Sequence, residues 1–426
     1  MTRPPTRRLF PIVALETSTF ASGIGNGVVA VAFPWLVLER TGSATAAALV
    51  ATAAALPLVV SFLLSGTVVD LVGRRRTAVG ADVLSALSAA AVPITDALLG
   101  LDLPMIAVLA AVGAVFDPAG FSAREAMLPQ CARVARLRLD RMNSVHTALF
   151  SVSFLVAPGL GGLLIALVGA PATLYAATVS FALAALVVSL VRVPAAGRPD
   201  HHEAPSSFWA ATREGLSFVF RTPLVRALAV VPAVAIMAWY PVEAVVLPAY
   251  FVEQDAPARL GALLAALSGG VVLGSLGYGA VAPYVSRHRV FLASLALMAL
   301  SVLGLALLPA YGLMVVLGFA AGLFYGPIEP VSNVTVQERT PERLRGRVVG
   351  VMTSTAYAMG PVGFLLAGPV VDRWGVQAAF LGTAGLLVLL ALGTSLSSSL
   401  RQLDQRGEPV PDPGGPEAGS REAEAA

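Results

Sequence analysis

Twelve runs of about 20 apolar residues, separated by short polar connections, constrain the fold of this chain more than any other feature. A helical run of this length matches the hydrocarbon thickness of a bilayer. Charged residues make up only 12% of the chain, against about a quarter in soluble domains. The sequence therefore predicts an all-α integral membrane protein with twelve transmembrane helices. The predicted spans cover residues 11–36, 44–69, 78–99, 103–123, 143–168, 172–191, 223–250, 259–282, 290–309, 311–333, 348–371 and 376–398.

Basic residues are unevenly divided between the two sides of the predicted membrane protein. All 28 of them are arginine. If the N-terminus is inside, only Arg40, Arg259 and Arg373 fall outside. The positive-inside rule then places both termini in the cytoplasm and requires an even number of spans. Because a P-loop ATPase needs a lysine, the energy source must be an ion gradient, a substrate gradient or a separate partner.

An eleven-residue stretch occurs twice, half the chain length apart. Residues 66–76 read GTVVDLVGRRR, and residues 279–289 read GAVAPYVSRHR, with five identical positions. Such a repeat between apolar segments indicates two similar membrane halves. We therefore predict an N-terminal six-helix bundle over 1–191, a cytoplasmic linker over 192–222, a C-terminal six-helix bundle over 223–400 and a disordered cytoplasmic tail over 401–426.

The first copy of the repeat resembles the loop signature of the major facilitator superfamily. Its residues are Gly66, Asp70, Gly73, Arg74 and Arg75, between spans two and three. Residues 116–144 and 337–348 resemble the corresponding regions of macrolide-efflux-like and enterobactin-exporter-like members of that superfamily. The resemblance therefore extends to an exporter branch and covers most of the chain.

A second resemblance lies in span five. Pro158, Gly161 and Gly162 look like the Gly-Pro-x-x-Gly-Gly element of drug/proton antiporters, with Ala157 in place of the first glycine. We expect these residues to bend span five and to favour exchange over leak. The alternative is ordinary packing of small residues between helices.

The resemblance implies a secondary active transporter that exports apolar or amphipathic, drug-like small molecules by alternating access in exchange for protons. Its expected partners are a small-molecule substrate, protons and the lipid bilayer of the cell membrane. A monomer without a cofactor, a metal site or a nucleic-acid partner is expected. Two alternatives stay open: a dedicated exporter of one endogenous product such as a siderophore, and a non-transporting membrane partner or sensor with the same fold. No Gly-x-Ser-x-Gly or His-Glu-x-x-His motif occurs, so an enzyme is not predicted.

The loop cluster is implied to latch the two halves on the cytoplasmic side in the outward-facing state. Gly66 would admit a close helix, Gly73 would turn the chain sharply, and Asp70 would pair with Arg74. The further latch members are expected to be Arg75, Asp82, Asp117, Arg124 and Glu125. The alternative is that the arginines only anchor topology. Because the second copy has Pro283 in place of the acid, the latch is expected to be asymmetric.

Acidic residues within membrane spans are costly and are therefore candidates for a function. Glu243 and Glu329 are the best candidates for binding a proton or a cationic substrate, and Glu16 is a further one. The alternative is an acid paired with the backbone or an arginine. Asn26 in span one occupies a position where related exporters often carry an aspartate. Since an amide does not titrate, the proton site lies elsewhere or protons are not used.

Aromatic residues supply the candidates for a substrate cavity. We expect Trp239, Tyr240 and Tyr325 to line a cavity for apolar or aromatic compounds. Aromatic residues of this kind also serve as anchors at the membrane interface, which is the alternative interpretation.

Overall fold

The computed structural model describes residues 8–193, 208–341 and 344–404. Among these residues, eleven helical segments are long and apolar enough to cross a membrane. The last segment, Arg345–Leu396, has 52 residues and is interrupted at Gly375, where φ is 81° and ψ is 170°. Each part is long enough to cross a bilayer, so the described residues form twelve spans. The predicted all-α membrane fold is confirmed.

Seven helices build the first six spans. In chain order they are α1 (Phe10–Thr41), α2 (Ala44–Val72), α3 (Arg74–Leu99), α4 (Leu103–Ala114), α5 (Asp117–Ala135), α6 (Leu139–Val168) and α7 (Ala170–Ser189). Helices α4 and α5 together form span four. The span is interrupted by a turn at Val115 and Phe116. This break positions the first residue of α5 in the middle of the membrane.

The second six spans follow a short amphipathic helix. The elements are α8 (Phe208–Arg221), α9 (Pro223–Pro241), a π-helical turn (Val242–Val246), α10 (Leu247–Val252), α11 (Pro257–Val281), α12 (Arg287–Ala306), α13 (Tyr311–Tyr325), α14 (Ile328–Arg339), α15 (Arg345–Leu396) and a 3-10 turn (Leu400–Asp404). Span seven is α9 joined to α10 through the π-helical turn, and span ten is α13 followed by α14.

The regions predicted as linker and tail are only partly described. Helix α8 lies in the described part of the linker, and residues 194–207 lie outside the described residues. The predicted tail begins in the 3-10 turn, where Leu403 is buried and Asp404 accepts a hydrogen bond of 2.7 Å from Ser286. Residues 405–426 lie outside the described residues.

Short side chains and glycines lie at the helix ends where the chain reverses direction. Ser43 caps α2 by accepting a hydrogen bond from the Ala46 amide, which satisfies one of the free donors of a helix N-terminus. Gly42 has φ of 63°, and Gly73 has φ of 95°, a region that glycine enters without steric cost. Gly73 therefore lies where the chain turns from α2 into α3.

The cores of the two bundles are separate on one side of the molecule and joined on the other. Because the number of spans is even, both described ends of the chain lie on one face, which we name the terminal face. The opposite side is named the distal face. Near the terminal face, the first bundle packs around residues such as Leu15 and Met127, and the second packs around residues such as Phe291 and Val348.

Near the distal face, a single core includes side chains from both bundles. Trp35 and Leu36 of α1 belong to the same buried cluster as Trp239 and Phe380 of the second bundle. The described structure therefore has its bundles joined at the distal face, while each keeps its own core at the terminal face.

Candidate substrate cavity

A cavity of about 270 Å³ lies between the two bundles. Its walls come from α1, α2, α3, α4, α5 and α7 of the first bundle and from span seven and α15 of the second. Most of the lining side chains are apolar. The polar ones are Asn26, Ser85, Ser88, Asp117, Tyr240 and Tyr357. Among the described residues that line it, the cavity therefore has one carboxylate and no basic side chain.

Asp117 supplies that carboxylate from the break in span four. It is the first residue of α5, where the positive end of the helix dipole favours a negative charge. Its Oδ1 accepts a hydrogen bond of 2.9 Å from the Ser85 hydroxyl on α3. Within the part of the chain that the structure describes, its Oδ2 accepts no hydrogen bond. The sequence assigned Asp117 to the latch, whereas the structure places it in the cavity wall.

Asn26 lies in the same wall because glycines bring α1 close to its neighbours. A methyl group on Gly25 would lie 2.9 Å from the Phe181 ring of α7. One on Gly27 would lie 2.4 Å from the Ala157 Cβ of α6. These close approaches leave the amide of Asn26, half-buried, at the cavity surface.

A buried ion pair lies on the terminal side of the cavity, inside the first bundle. Arg124 of α5 donates from Nη2 to Asp82 Oδ2 of α3. Ser22 donates to Asp82 Oδ1 at 3.0 Å, and the Arg124 Nε donates to Ser18 Oγ at 3.2 Å. The structure thus brings the two candidate latch residues Asp82 and Arg124 together, each with its own hydroxyl partner on α1.

A second buried polar pair joins α1 to α6. The Nδ1 of His146 lies 3.1 Å and 3.2 Å from the two carboxylate oxygens of Glu16, and the residues are 4% and 7% exposed. His146 Nε2 is buried without a hydrogen-bond partner in the described structure. His146 is not among the site residues that the sequence predicted. Its occurrence in an otherwise apolar run was the available signal, because any polar side chain at membrane depth needs a partner.

Glu243 and its neighbours lie around the π-helical turn of span seven. The indole Nε1 of Trp239 donates to Glu243 Oε1 at 2.5 Å. Trp239 is only 1% exposed and packs in the shared distal core instead of the cavity wall. Tyr240, the next residue, does line the cavity. The helix between Pro241 and Pro248 widens into a π turn, a feature often found at functional sites.

Glu329 lies at a break in span ten that resembles the one at Asp117. It follows Gly326 and Pro327 in the first turn of α14, and its side chain is exposed. Tyr325, at the end of α13, is half-buried. Each bundle thus has an acid at the start of the second half of a broken helix.

Comparisons with known proteins identify the family. Residues 4–413 match the family model described as transmembrane secretion effector. The chain is 43% identical to the multidrug efflux pump Tap of Mycolicibacterium fortuitum over 402 residues, which cover 94% of this chain and 98% of that protein. The chain belongs to the major facilitator superfamily.

More distant relatives of the superfamily agree with this assignment. Macrolide efflux protein A of Streptococcus pyogenes is 23% identical over 393 residues, covering 89% of this chain and 94% of that protein. A solved mutant of the nucleoside transporter NupG has the same fold, with a TM-score of 0.76 at 12% identity. The match covers 90% of this chain and 99% of that chain. The protein is therefore a multi-pass membrane transporter with the two-bundle fold of the major facilitator superfamily.

The superfamily loop signature lies at the terminal face, where α2 turns into α3 through Gly73. Arg74 donates to the Ala126 carbonyl oxygen of α5 at 3.0 Å, and Arg75 donates to the Val191 carbonyl oxygen at 3.4 Å. Gly66 and Asp70 belong to α2, and their side chains lie outside the described residues. The latch therefore stays a prediction.

The second copy of the signature also lies at the terminal face, at the start of α12. Ser286 caps the helix by accepting a hydrogen bond from the Arg289 amide. Arg287 donates two hydrogen bonds, of 2.6 Å and 2.9 Å, to the carboxylate of Glu338 on α14. The two copies thus bind different partners, a carbonyl in the first bundle and a carboxylate in the second.

The proline–glycine element of span five lies in the contact between α6 and α11. Gly162 meets Gly261 so closely that a methyl group on Gly162 would lie 2.4 Å from the Pro257 carbonyl oxygen. A methyl group on Gly161 would lie 3.4 Å from the Val28 Cα of α1, and Pro158 is buried within α6. These small residues let the two bundles touch near the distal face.

Asp372, which was not a predicted site residue, joins the bundles at the distal face. Its carboxylate accepts hydrogen bonds from the Ser43 hydroxyl at 2.9 Å, the Ala44 amide at 2.7 Å and the Thr45 amide at 2.9 Å. The carboxylate on α15 of the second bundle therefore caps α2 of the first. Since 329 residues separate Asp372 from Ser43, local sequence patterns do not reveal this contact.

Proposed function

We propose that this protein is a secondary transporter that exports apolar or amphipathic, drug-like small molecules from the cell by alternating access. The observation that carries the proposal is the apolar cavity between two bundles that share a buried core near the distal face. The names of two relatives, a multidrug efflux pump and a macrolide efflux protein, support the same class of substrate.

The orientation of the transporter follows from its arginines. We infer that the terminal face is cytoplasmic, since all but three of the 28 basic residues belong to segments on that side. With the distal face closed, a compound from the cytoplasm or from the inner part of the bilayer reaches the cavity first. Export then requires the distal contacts to separate while the terminal halves come together.

The latch of the loop signature acts in the second half of that cycle. Asp70 and Arg74, at the terminal end of α2 and α3, are the groups that hold the terminal halves together once the distal face has opened. One chain contains both bundles, over 1–191 and 223–400, with a cytoplasmic linker over 192–222 and a cytoplasmic tail over 401–426. We therefore infer that a monomer completes the cycle.

A proton gradient is the proposed energy source, and no cofactor is required. Asn26 in the cavity wall does not titrate, so the proton binds to a carboxylate elsewhere. Glu243 and Glu329 are the candidates in the second bundle, and Glu16 beside His146 is the candidate in the first. Protonation of such a group alters the charge at membrane depth and hence the relative stability of the two states.

Drug efflux from cells tests the proposal. Cells that express the protein are loaded with a panel of fluorescent or radiolabelled drugs, and efflux is followed with and without a protonophore. Faster efflux than in empty-vector cells, abolished by the protonophore, is the expected result. Efflux that survives the protonophore would rule out proton exchange. If no compound leaves faster than from control cells, the transport proposal is wrong.

A further inference from the structure

We propose that the cavity binds organic cations that carry one positive charge and apolar rings, and that Asp117 is the group that binds the charge. The inference rests on the proposed function, because it names the substrate class of the same cavity. It goes beyond that function because it predicts that the cavity prefers cations to neutral or anionic drugs.

The charge of the cavity wall is the first argument. Asp117 is the one carboxylate among the lining residues that the structure describes, and no arginine or histidine lies among them. One oxygen of Asp117 accepts the hydroxyl of Ser85, while Oδ2 has no such partner in the described structure. A carboxylate in apolar surroundings attracts a cation much more strongly than the same group does in water.

Nearby charges do not neutralise Asp117. Asp82 and Arg124 both interact electrostatically with it. However, Arg124 is bound directly to Asp82, and that pair carries no net charge. Asp117 therefore has no dedicated basic partner among the described residues that line the cavity, so that a bound cation would be its counter-charge.

Aromatic rings on the facing wall favour the same ligand. Tyr240 and Tyr357 of the second bundle and Phe181 of the first line the cavity. The Tyr357 ring is held by stacking on Phe62, with the ring centroids 4.6 Å apart. The faces of such rings attract organic cations through cation–π interactions. A carboxylate on one side and tyrosines on the other therefore suit a flat or multi-ring cation.

The single carboxylate also limits the charge of the ligand. A second positive charge would lie against alanine, leucine and phenylalanine side chains without an acidic partner, and desolvating an unpaired charge is costly. An anion would meet Asp117 with the same sign of charge. The cavity is therefore expected to prefer monovalent cations over divalent cations and anions.

Binding of radiolabelled tetraphenylphosphonium to the purified full-length protein tests the inference. Saturable binding is expected, and tetraphenylborate, which has nearly the same shape and the opposite charge, should not compete for the site. Asp117→Asn should weaken binding at least tenfold, or about 1.4 kcal/mol, whereas Asp117→Glu should retain it. Asp96→Asn, which removes an acid paired with Arg40 away from the cavity, should bind as the wild type does.

Two results would overturn the inference. Equal binding by wild type and Asp117→Asn would show that Asp117 does not bind the charge, and competition by tetraphenylborate would show that the cavity does not select for charge. If Asp117→Asn does not fold, Tyr357→Leu provides the second variant. It should weaken tetraphenylphosphonium binding severalfold without a change in the melting temperature, and unchanged binding would contradict the proposed aromatic wall.

Efflux assays separate the failure of this inference from that of the proposed function. Cells expressing Asp117→Asn should lose efflux of permanently charged cations and keep efflux of neutral drugs. If the variant loses efflux of both the charged cations and the neutral drugs, Asp117 is a coupling residue and the inference is contradicted. Export by the wild type would still support the proposed function. If the wild type binds cations selectively but exports no drug, the inferred cation site is supported and the proposed function is wrong.

Discussion

Asp82 and Arg124 are held together on two helices of the first bundle, with 3% and 4% of their side chains exposed. Charges removed from water to this extent depend on each other, because either one alone would be buried without compensation. The hydroxyls of Ser18 and Ser22 satisfy further hydrogen-bonding groups of the pair. The pair therefore fixes α3 and α5 relative to α1 on the terminal side of the cavity.

We expect Arg124→Met to destabilise the protein by about 3–5 kcal/mol, since it leaves Asp82 as an unpaired buried charge. Thermal unfolding of the detergent-solubilised protein measures the effect. Adding Asp82→Asn to the Arg124→Met variant should recover part of the loss. The control is Arg40→Met, because Arg40 is 39% exposed in its pair with Asp96 and a surface pair contributes about 0–1 kcal/mol. If Arg124→Met loses no more stability than Arg40→Met, this account of the pair is contradicted.

At the residue scale, the sequence reveals which polar groups lie within the membrane but not which of them meet. It identified Glu16, Asp82, Asp117, Glu243 and Glu329 because each interrupts an apolar run. For Asp117, a predicted latch residue, the structure adds a helix break just before it and a position in the cavity wall. The partners of these groups depend on how the helices pack, and hydropathy does not contain that information.

The distal end of α2 is capped by a residue from the other bundle. The first amides of a helix have no partner within the helix, and they attract a carboxylate. Asp372 of α15 supplies one to Ala44 and Thr45 and also accepts the Ser43 hydroxyl. Because this contact joins the two bundles, it must break whenever the distal face opens.

We expect Asp372→Ala to favour the distal-open state. Loss of a helix cap costs about 1–2 kcal/mol, which corresponds to a shift of roughly 5- to 30-fold in the ratio of open to closed protein. The measurement is labelling of an Ala47→Cys variant by a membrane-impermeant maleimide, because Ala47 lines the cavity near the distal end of α2. The single native cysteine, Cys131, is buried, so background labelling should be low.

The matched control for Asp372→Ala is Glu253→Ala, which removes an exposed acid beyond the distal end of α10. It should leave the labelling rate unchanged. If Asp372→Ala labels no faster than this control, the cap does not hold the distal face closed.

The contact between α6 and α11 provides a second test of distal closure. Gly162→Val would place side-chain atoms against Pro257 and Gly261, where even a Cβ comes within 2.4 Å of a backbone oxygen. We expect this variant to fail to close the distal face, to label rapidly at Ala47→Cys and to lose transport. Gly159→Ala is the control on the same helix, since its Cβ would meet Ala265 at an ordinary 3.6 Å. Similar labelling of both variants would contradict the account.

At the scale of elements, the sequence predicts each span because a segment in lipid must satisfy its backbone hydrogen bonds internally. The interruptions within the spans are less predictable. Pro241 and Pro248 signalled a disturbance in span seven, which the structure resolves as the π turn Val242–Val246. The break at Val115 and Phe116 has only Pro118 as a signal, and a proline at this position also fits the start of an ordinary helix.

The two halves of the molecule retain the positions of the repeated loop but not its chemistry. Arg74 binds a backbone oxygen in the first bundle, while Arg287 binds the carboxylate of Glu338 in the second. The asymmetry of the latch, predicted because Pro283 replaces the acid of the first copy, stays a prediction.

We expect Asp70→Asn to reduce transport strongly while membrane insertion and expression stay normal, because the amide keeps the size of the side chain and removes its charge. Drug efflux from cells, normalised to the amount of protein in the membrane, is the measurement. Asp102→Asn, at the cap of α4 on the opposite face, is the matched control. Wild-type efflux by Asp70→Asn would refute the latch.

Drug uptake into proteoliposomes, by the molecules whose terminal face lies outside, tests the central claim most directly. The purified protein is reconstituted, a proton gradient is imposed, and radiolabelled drugs of the macrolide and organic-cation classes are supplied outside. The account predicts uptake above protein-free vesicles for at least one class, lost when a protonophore collapses the gradient. No uptake above protein-free vesicles for any compound would contradict it.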